Sequence, residues 1–205
     1  MACVAMMVTL GTAGAGPAVE TPVRILVLGD SLASGYGLEA GQSFPAQLEE
    51  VLRDAGHEVR ILNAGIAGDT TAGGLARLDW SLAAKPHAVI VELGGNDGLR
   101  GVDPRSTHAN LDAILTRLKS RNIPVLLTGM IAPSNMGRDY GEAFNAVFPN
   151  LAERHGVAFY PFILEGVAGR RDLNQDDGIH PNKSGVTIMV DRLVPHVVRL
   201  LETLE

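Results

Sequence analysis

The sequence predicts an α/β protein, a three-layer α/β/α sandwich around a central parallel sheet of about five strands. Short apolar runs alternate with longer stretches whose apolar residues recur at helical spacing, from Thr21 to the C-terminus. The runs are short and mostly β-branched or Leu-rich, which is typical of parallel strands that helices cover on both faces. Strands that alternate with helices form βαβ units with right-handed crossovers. No internal repeat or linker follows residue 21, so we expect one domain over residues 21–205.

The apolar runs predict the strands, and the periodic stretches between them predict the helices. The strands are expected at residues 23–28, 58–63, 88–93, 124–130 and 157–162. Four stretches each place apolar residues on one helical face: Phe44, Leu48, Val51 and Leu52; Leu75, Leu78 and Leu82; Leu111, Ile114, Leu115 and Leu118; and Phe144, Val147, Phe148 and Leu151. A fifth helix is expected from about Lys183 to the C-terminus.

Composition excludes several kinds of partner and site. The net charge is −6, and no run of basic residues is longer than Arg170–Arg171. Nucleic-acid binding needs clustered Lys and Arg to neutralise phosphates, so we expect no nucleic-acid partner. The single cysteine, Cys3, excludes an internal disulfide and any metal site built from several cysteines.

Residues 1–20 differ from the rest of the chain. Met1 to Val19 holds no charged side chain and is rich in small and apolar residues, which is typical of a secretory leader, although the usual basic start is missing. We therefore expect an apolar leader or a disordered extension, and a periplasmic or secreted protein, or a cytoplasmic one if the segment is not a signal. The apolar run is too short for a bilayer, so stable membrane insertion is not expected.

Glycine-rich and polar segments follow the predicted strands. They occupy residues 29–37, 63–70 and 94–98, and a further one, 176–181, precedes the last helix. The ligand crevice of a parallel sheet lies at the carboxyl ends of its strands, so these segments are expected to meet there.

The residues in these segments are those that acyl transfer through a serine requires. Ser31 is a candidate nucleophile, His180 a candidate general base, and Asp177 a candidate partner for the far imidazole nitrogen. The backbone N–H groups of Ser31 and Gly68 and the Asn96 amide are candidate donors to the oxyanion that forms on the acyl carbonyl.

Structural alternatives exist for these residues. Ser31 or Asp30 can cap the helix after the first strand, and Gly68 can serve only a turn. His180, which precedes a proline, can be an ordinary helix-entry residue. Asp176 is an alternative partner for the imidazole.

Other residues are interpreted as structural. Asp97 is expected to cap or close its loop, and Glu92 to be a paired structural acid at the end of its strand. The pattern 35–40 matches a dinucleotide motif, but it starts too late after the strand to hold a pyrophosphate. The remaining histidines are expected to be solvated: His57, His87, His108, His155 and His196.

Four motifs together resemble the blocks of the SGNH, or GDSL-type, hydrolases. They are Gly29-Asp30-Ser31-Leu32, Gly68, Gly94-Gly95-Asn96-Asp97 and Asp177-Gly178-Ile179-His180. The resemblance spans about residues 23–200, and the strings 91–100 and 175–181 are similar to the arylesterase, thioesterase I and lysophospholipase L1 branch.

The resemblance implies a flavodoxin-like sheet, no metal, no cofactor and hydrolysis of ester or thioester bonds. By family position it implies Ser31, Asp177 and His180 as the catalytic residues, with Gly68 and Asn96 in the oxyanion hole. The same position favours Asp177 over Asp176 as the partner of the imidazole.

Two loops after the third and fourth strands, 98–106 and 131–140, are expected to wall the acyl site. Ile131, Pro133 and Met136 give the second loop an apolar surface suited to an alkyl or aryl group.

We therefore expect a serine esterase for short-to-medium acyl or aryl esters, with a small-molecule ester or thioester as its partner. No basic cluster holds coenzyme A phosphates, although Arg100, Arg105 and Arg138 can contribute. The alternatives within this chemistry are an acyl-CoA thioesterase or lysophospholipase, and a carbohydrate deacetylase. From other classes, they are a binding module without activity and a metal phosphoesterase that uses Asp176, Asp177 and His180.

Overall fold

The computed structural model describes residues 21–204 and contains one parallel five-stranded sheet in the order β2-β1-β3-β4-β5. The predicted leader, residues 1–20, and Cys3 lie outside the described residues. The strands are β1 Val23–Gly29, β2 Val59–Gly65, β3 Ala88–Glu92, β4 Val125–Thr128 and β5 Ala158–Tyr160. The predicted fold class is confirmed, and each strand lies within or close to its predicted run.

Helices cover both faces of the sheet. They are α1 Ser31–Ser34, α2 Phe44–Asp54, α3 Thr71–Leu82, α4 Gly95–Leu99, α5 Pro104–Ser120, α6 Arg138–Asn145, α7 Val147–His155 and α8 Lys183–Glu202. Short 3₁₀ turns lie at Ser134–Met136 and Arg171–Leu173. Helix α2 packs on α8, while α3 packs on α5 and α5 on α7, which gives the two outer layers. Within residues 21–204, none of the helices combines the length and the apolar character needed to cross a bilayer.

The order of the strands determines where a ligand can bind. The chain adds β2 on one side of β1 and then β3 on the other, so the connections diverge at the carboxyl ends of β1 and β3. Gly29 at the end of β1 lies in register with Glu92 at the end of β3. Such a switch point opens a crevice above the sheet.

The predicted apolar faces form most of the core, with two corrections. Val51 is 37% exposed, because it lies at the edge of the face that α2 turns toward the sheet. The predicted fourth helix is two helices, α6 and α7, which meet at Ala146. The cause is Pro149, which has no N–H to donate to the carbonyl of Asn145 and therefore interrupts the helical hydrogen bonds there.

Two of the histidines expected to be solvated are not. The His155 side chain is only 10% exposed, and its Nε2 lies 2.8 Å from Asp112 Oδ1. His196 packs on the buried ring of Tyr160 at a centroid distance of 4.8 Å, and partial burial lowers its pKa. Both histidines lie on helix faces that pack against a neighbouring element. The sequence of one helix does not show which of its faces makes such a contact.

Candidate active site

Ser31 is the first residue of helix α1, directly after the end of β1. Asp30, not Ser31, caps that helix: its Oδ1 accepts the Leu32 N–H at 3.0 Å. The capping interpretation is therefore wrong for Ser31 and confirmed for Asp30. The tight turn needs Gly29, because a Cβ there would collide with the Glu92 carboxyl and the Ala33 side chain.

A hydrogen-bonded relay connects Ser31 to His180 and Asp177. His180 Nε2 lies 2.9 Å from Ser31 Oγ, although the two residues are 149 positions apart in the chain. His180 Nδ1 lies 2.6 Å from Asp177 Oδ2, so Asp177 and not Asp176 is the partner of the imidazole. The other carboxylate oxygen, Asp177 Oδ1, accepts the N–H groups of Ile179 at 2.9 Å and His180 at 3.0 Å.

These contacts fix the charge of Asp177 and the tautomer of His180. The backbone N–H of His180, followed by its imidazole, lowers the pKa of Asp177 to about 2. An ionised carboxylate only accepts hydrogen bonds, so His180 Nδ1 carries a proton and Nε2 offers a lone pair to the Ser31 hydroxyl. The arrangement can remove a proton from Ser31 as the hydroxyl attacks.

The chain before helix α8 holds the imidazole in place. The helix begins at Lys183 with Asn182 as its cap, so the helix-entry interpretation of His180 is wrong. The Tyr36 ring packs against the imidazole at a centroid distance of 4.7 Å. Tyr36 was not identified from the sequence, although it lies in the segment after the first strand.

The three candidate oxyanion donors face one cavity. Ser31, Gly68 and Asn96 all line it, and neither the Ser31 N–H nor the Gly68 N–H has an acceptor within residues 21–204. Gly68 has φ +79°, a left-handed conformation that favours glycine. Arg100 Nη2 donates to the Gly68 carbonyl at 2.9 Å and thereby restrains this turn.

Arg77 on α3 ties the loops below the site together and was not identified from the sequence. Its guanidinium pairs with Asp69 at 2.7 Å and donates to the carbonyls of Ala64 at 2.7 Å and Gly29 at 2.9 Å. It therefore joins the ends of β1 and β2 to the loop that carries Gly68. No sequence pattern marks this arginine among the others on the helices.

Asp97 has the structural role that the sequence predicts. It is buried, and it accepts the backbone N–H of Thr71 at 2.9 Å and the hydroxyls of Thr71 and Thr107. These bonds hold the start of α3 against α4 and so position Asn96.

Glu92 is fully buried, but its contacts differ from the expected pairing. Its Oε2 accepts the Asp30 N–H at 3.2 Å, and its Oε1 has no hydrogen-bond partner among the described residues. The acid is therefore paired with backbone and not with a basic side chain. Burial raises the pKa of Glu92 well above its usual range, and burial also raises the pKa of Asp30 to about 6.

The cavity beside Ser31 has a volume of about 860 Å³ and a mostly apolar wall. Ile131 and Pro133 line it as predicted, whereas Met136 lies outside the lining, with its Cε against Gly101. The short 3₁₀ turn at 134–136 carries the Met136 side chain away from the opening.

Further apolar residues of the wall were not identified from the sequence. They are Leu32, Ala67, Met130, Phe162, Leu164, Ala168 and Ile179, while Leu99 comes from the loop 98–106 that the sequence predicts as a wall. Phe162 and Leu164 follow β5. Because ligands of parallel sheets bind beyond the carboxyl ends of the strands, this segment could also have been predicted from the sequence.

Comparison with known proteins agrees with this geometry. The GDSL-like Lipase/Acylhydrolase family model matches residues 27–188. The chain is 42% identical over 178 residues to "Esterase TesA" of Pseudomonas aeruginosa, which covers 86% of the chain and 89% of that protein. It is 43% identical over 168 residues to "Thioesterase 1/protease 1/lysophospholipase L1" of Escherichia coli, which covers 82% of the chain and 79% of that protein.

A solved structure of an SGNH hydrolase also resembles the chain. The crystal structure of AlinE4, described as an SGNH-hydrolase family esterase, superposes with a TM-score of 0.74 at 48% identity, covering 88% of the chain and 97% of AlinE4. With the relay and the parallel sheet, these matches show that the chain belongs to the GDSL-like lipase/acylhydrolase family and is a serine ester hydrolase of the SGNH type.

Proposed function

We propose that the protein hydrolyses carboxylic esters with short-to-medium acyl or aryl groups, and that Ser31 is its nucleophile. The observation that supports this most directly is the relay from Ser31 Oγ to His180 Nε2, at 2.9 Å, and from His180 Nδ1 to Asp177, at 2.6 Å. It lies at the edge of an apolar cavity large enough for an acyl or aryl group.

In the first half of the reaction, Ser31 Oγ forms a bond to the acyl carbon while its proton moves to His180 Nε2. The carbonyl oxygen becomes an oxyanion, which the N–H groups of Ser31 and Gly68 and the amide of Asn96 stabilise. The carbon–oxygen bond to the alcohol then breaks, and the imidazolium gives its proton to the departing oxygen. Asp177 remains ionised and stabilises the imidazolium.

In the second half, a water molecule attacks the acyl carbon of the ester on Ser31 while His180 takes the water proton. The bond between the carbon and Ser31 Oγ breaks, and the proton on His180 returns to that oxygen. The products are the carboxylic acid and the free enzyme.

The surroundings of the cavity favour simple esters over coenzyme A thioesters. Arg100 donates to the Gly68 carbonyl, Arg105 pairs with Asp103 at 2.6 Å, and Arg138 pairs with Glu142 at 2.7 Å. The carboxylates of Asp103 and Glu142 offset the charges of Arg105 and Arg138, so these side chains offer a coenzyme A phosphate little net positive charge. Thioesterase and lysophospholipase activity is the second candidate, and the name of the E. coli relative supports it.

A substrate series distinguishes these candidates. We expect nitrophenyl esters of short-to-medium acids to be turned over faster than an acyl-CoA or an acetylated sugar at equal concentration. Faster turnover of the acyl-CoA would contradict the proposed preference and support the thioesterase.

We predict that Ser31→Ala abolishes ester turnover and covalent labelling by a fluorophosphonate, because the attacking oxygen is lost. Ser120→Ala, a change to a helix-end serine remote from the cavity, is the matched control and should be labelled like the wild type. The measurement is labelling followed by intact-protein mass spectrometry. Stoichiometric labelling of Ser31→Ala would exclude Ser31 as the nucleophile.

We also propose that residues 21–205 are the enzyme domain and that the apolar residues 1–20 direct its export to the periplasm or the exterior. The absence of charged side chains from Met1 to Val19 supports the proposal. Expression of the full chain in a Gram-negative host tests it by the mass of the protein in each cell fraction. Recovery of the uncleaved chain in the cytoplasm alone would contradict it.

A further inference from the structure

Two buried carboxyl groups lie directly beneath the nucleophile, and the acyl-transfer steps above use neither. Asp30 is 2% exposed and Glu92 is 0% exposed. They meet because Gly29 and Glu92 end neighbouring strands in register, and Asp30 follows Gly29. Burying an acid without a basic partner costs free energy of folding. We therefore expect these two acids to serve the site.

The two acids differ in the donors that face them. Asp30 Oδ1 accepts the Leu32 N–H at 3.0 Å, and Asp30 Oδ2 accepts the Asn96 amide at 3.1 Å. Glu92 Oε2 accepts the Asp30 N–H at 3.2 Å, and its Oε1 is unpaired among the residues that the structure describes.

Two neighbouring buried carboxyl groups do not readily ionise together, and the charge is favoured on the one whose two oxygens both accept hydrogen bonds, Asp30. Burial and the charge of Asp30 raise the pKa of Glu92 well above its usual range. The pKa of Asp30 rises to about 6, mainly through burial, while His180 opposes the rise and Asp69 adds to it. Of the two groups, Asp30 therefore carries the negative charge more readily, and Glu92 retains its proton to higher pH.

The charge of Asp30 determines how the Asn96 amide is turned. A carboxylate only accepts hydrogen bonds, so it must face the NH₂ group of the amide and not the oxygen. One amide hydrogen goes to Asp30, and the second remains for the cavity that Ser31 and Gly68 also line. A neutral side chain at position 30 would also allow the Asn96 amide to bind in the reversed orientation. The amide oxygen would then face the oxyanion and repel it.

We propose that Asp30 is a positioning residue for Asn96, and that its carboxylate keeps the Asn96 Nδ2 group directed at the acyl oxygen. Glu92 supports this arrangement by accepting the Asp30 N–H. The inference rests on the oxyanion role of Asn96 given in the proposed function.

A double-mutant cycle tests the proposal. Asp30→Asn removes the charge, keeps the size of the side chain and retains a residue that caps helices well. We expect it to lower kcat at least about tenfold with little change in KM. One oxyanion donor raises the rate by roughly 10²–10³-fold, and a misdirected amide loses part of that increase. In an Asn96→Ala background, the same change should lower kcat no further, because Asp30 acts through Asn96.

Asp79→Asn is the matched control, because Asp79 is an exposed carboxylate on α3 that pairs with Arg117 and Arg121 on the surface. It should leave kcat unchanged in both backgrounds. Thermal melting monitors folding, and if Asp30→Asn melts below the assay temperature, Asp30→Ser provides the same test with another good helix cap.

The outcomes separate this proposal from the proposed function. An equal loss of kcat from Asp30→Asn in both backgrounds, or no loss in the wild-type background, overturns the positioning role alone. Full kcat in Asn96→Ala overturns the oxyanion role of Asn96 and the positioning role with it, while Ser31→Ala still tests the nucleophile independently.

Discussion

At the scale of single residues, the groups that we propose as oxyanion donors are held in place by other side chains of the site. Gly68 is held in its left-handed turn by Arg100, and Asn96 is held by Asp30. Donors that are already oriented need no reorganisation as charge develops on the acyl oxygen, which makes them effective in catalysis.

We predict that Asn96→Ala lowers kcat for a nitrophenyl ester by about 10²–10³-fold, because one oxyanion donor is lost. KM should change much less, since the lost bond strengthens as the oxyanion forms. Steady-state kinetics measure both constants. Asn150→Ala, an exposed position on α7, serves as the control, and a comparable loss in that variant would show that the effect is not specific to the site.

At the scale of elements, helix α3 shows how one helix serves both the core and the site. Leu78 is fully buried against the sheet, whereas Trp80, two positions later, is 77% exposed. Arg77 on the same helix ties the loops beneath the nucleophile. The packing of α3 therefore also sets the position of the loop that carries Gly68.

We predict that Leu78→Ala lowers the free energy of unfolding by about 2–5 kcal/mol, because it removes buried methyl groups and leaves a cavity. Trp80→Ala, although it deletes a larger side chain, should change that free energy by less than about 0.5 kcal/mol, because most of the indole remains in water. Urea denaturation measures both values. Similar losses for the two variants would contradict the assigned orientation of α3.

At the scale of the whole molecule, the buried acids link stability to pH. The pKa of Glu92 in the folded protein lies well above its usual 4.5, so the folded state retains a proton that the unfolded chain releases. The stability that this group contributes is therefore fully present below about pH 4.5 and is lost as the pH rises through the raised pKa. The pKa of Asp177 is lowered to about 2, so the stability that Asp177 contributes is lost as the pH falls below about 4.

We predict that the wild type loses stability relative to Glu92→Gln as the pH rises from about 5 to 8, because glutamine has no proton to release. The measurement is the free energy of unfolding of both proteins across that range. The histidines are present in both proteins, so their contributions largely cancel. Parallel curves for the two proteins would contradict a raised pKa at Glu92.

Much of the candidate site is predictable from the sequence because catalytic groups in a parallel sheet follow the strands. Ser31, Gly68 and Asn96 were found in this way, and Asp177 and His180 by their mutual spacing. Arg77 and Tyr36 were missed, since their roles depend on contacts with loops that are distant in the chain. Met136 was placed on the wall by its apolar character, but a short 3₁₀ turn directs it elsewhere.

By itself, the sequence determined the fold class, the order of the strands and helices, and the kinds of chemical group at the site. Those properties depend on local periodicity and on which residues follow each strand. Only the tertiary structure decided that Glu92 has no basic partner among residues 21–204 and that Asp30 faces Asn96. These pairings depend on distances, burial and charge among segments that are far apart in the chain, and a linear pattern carries no such information.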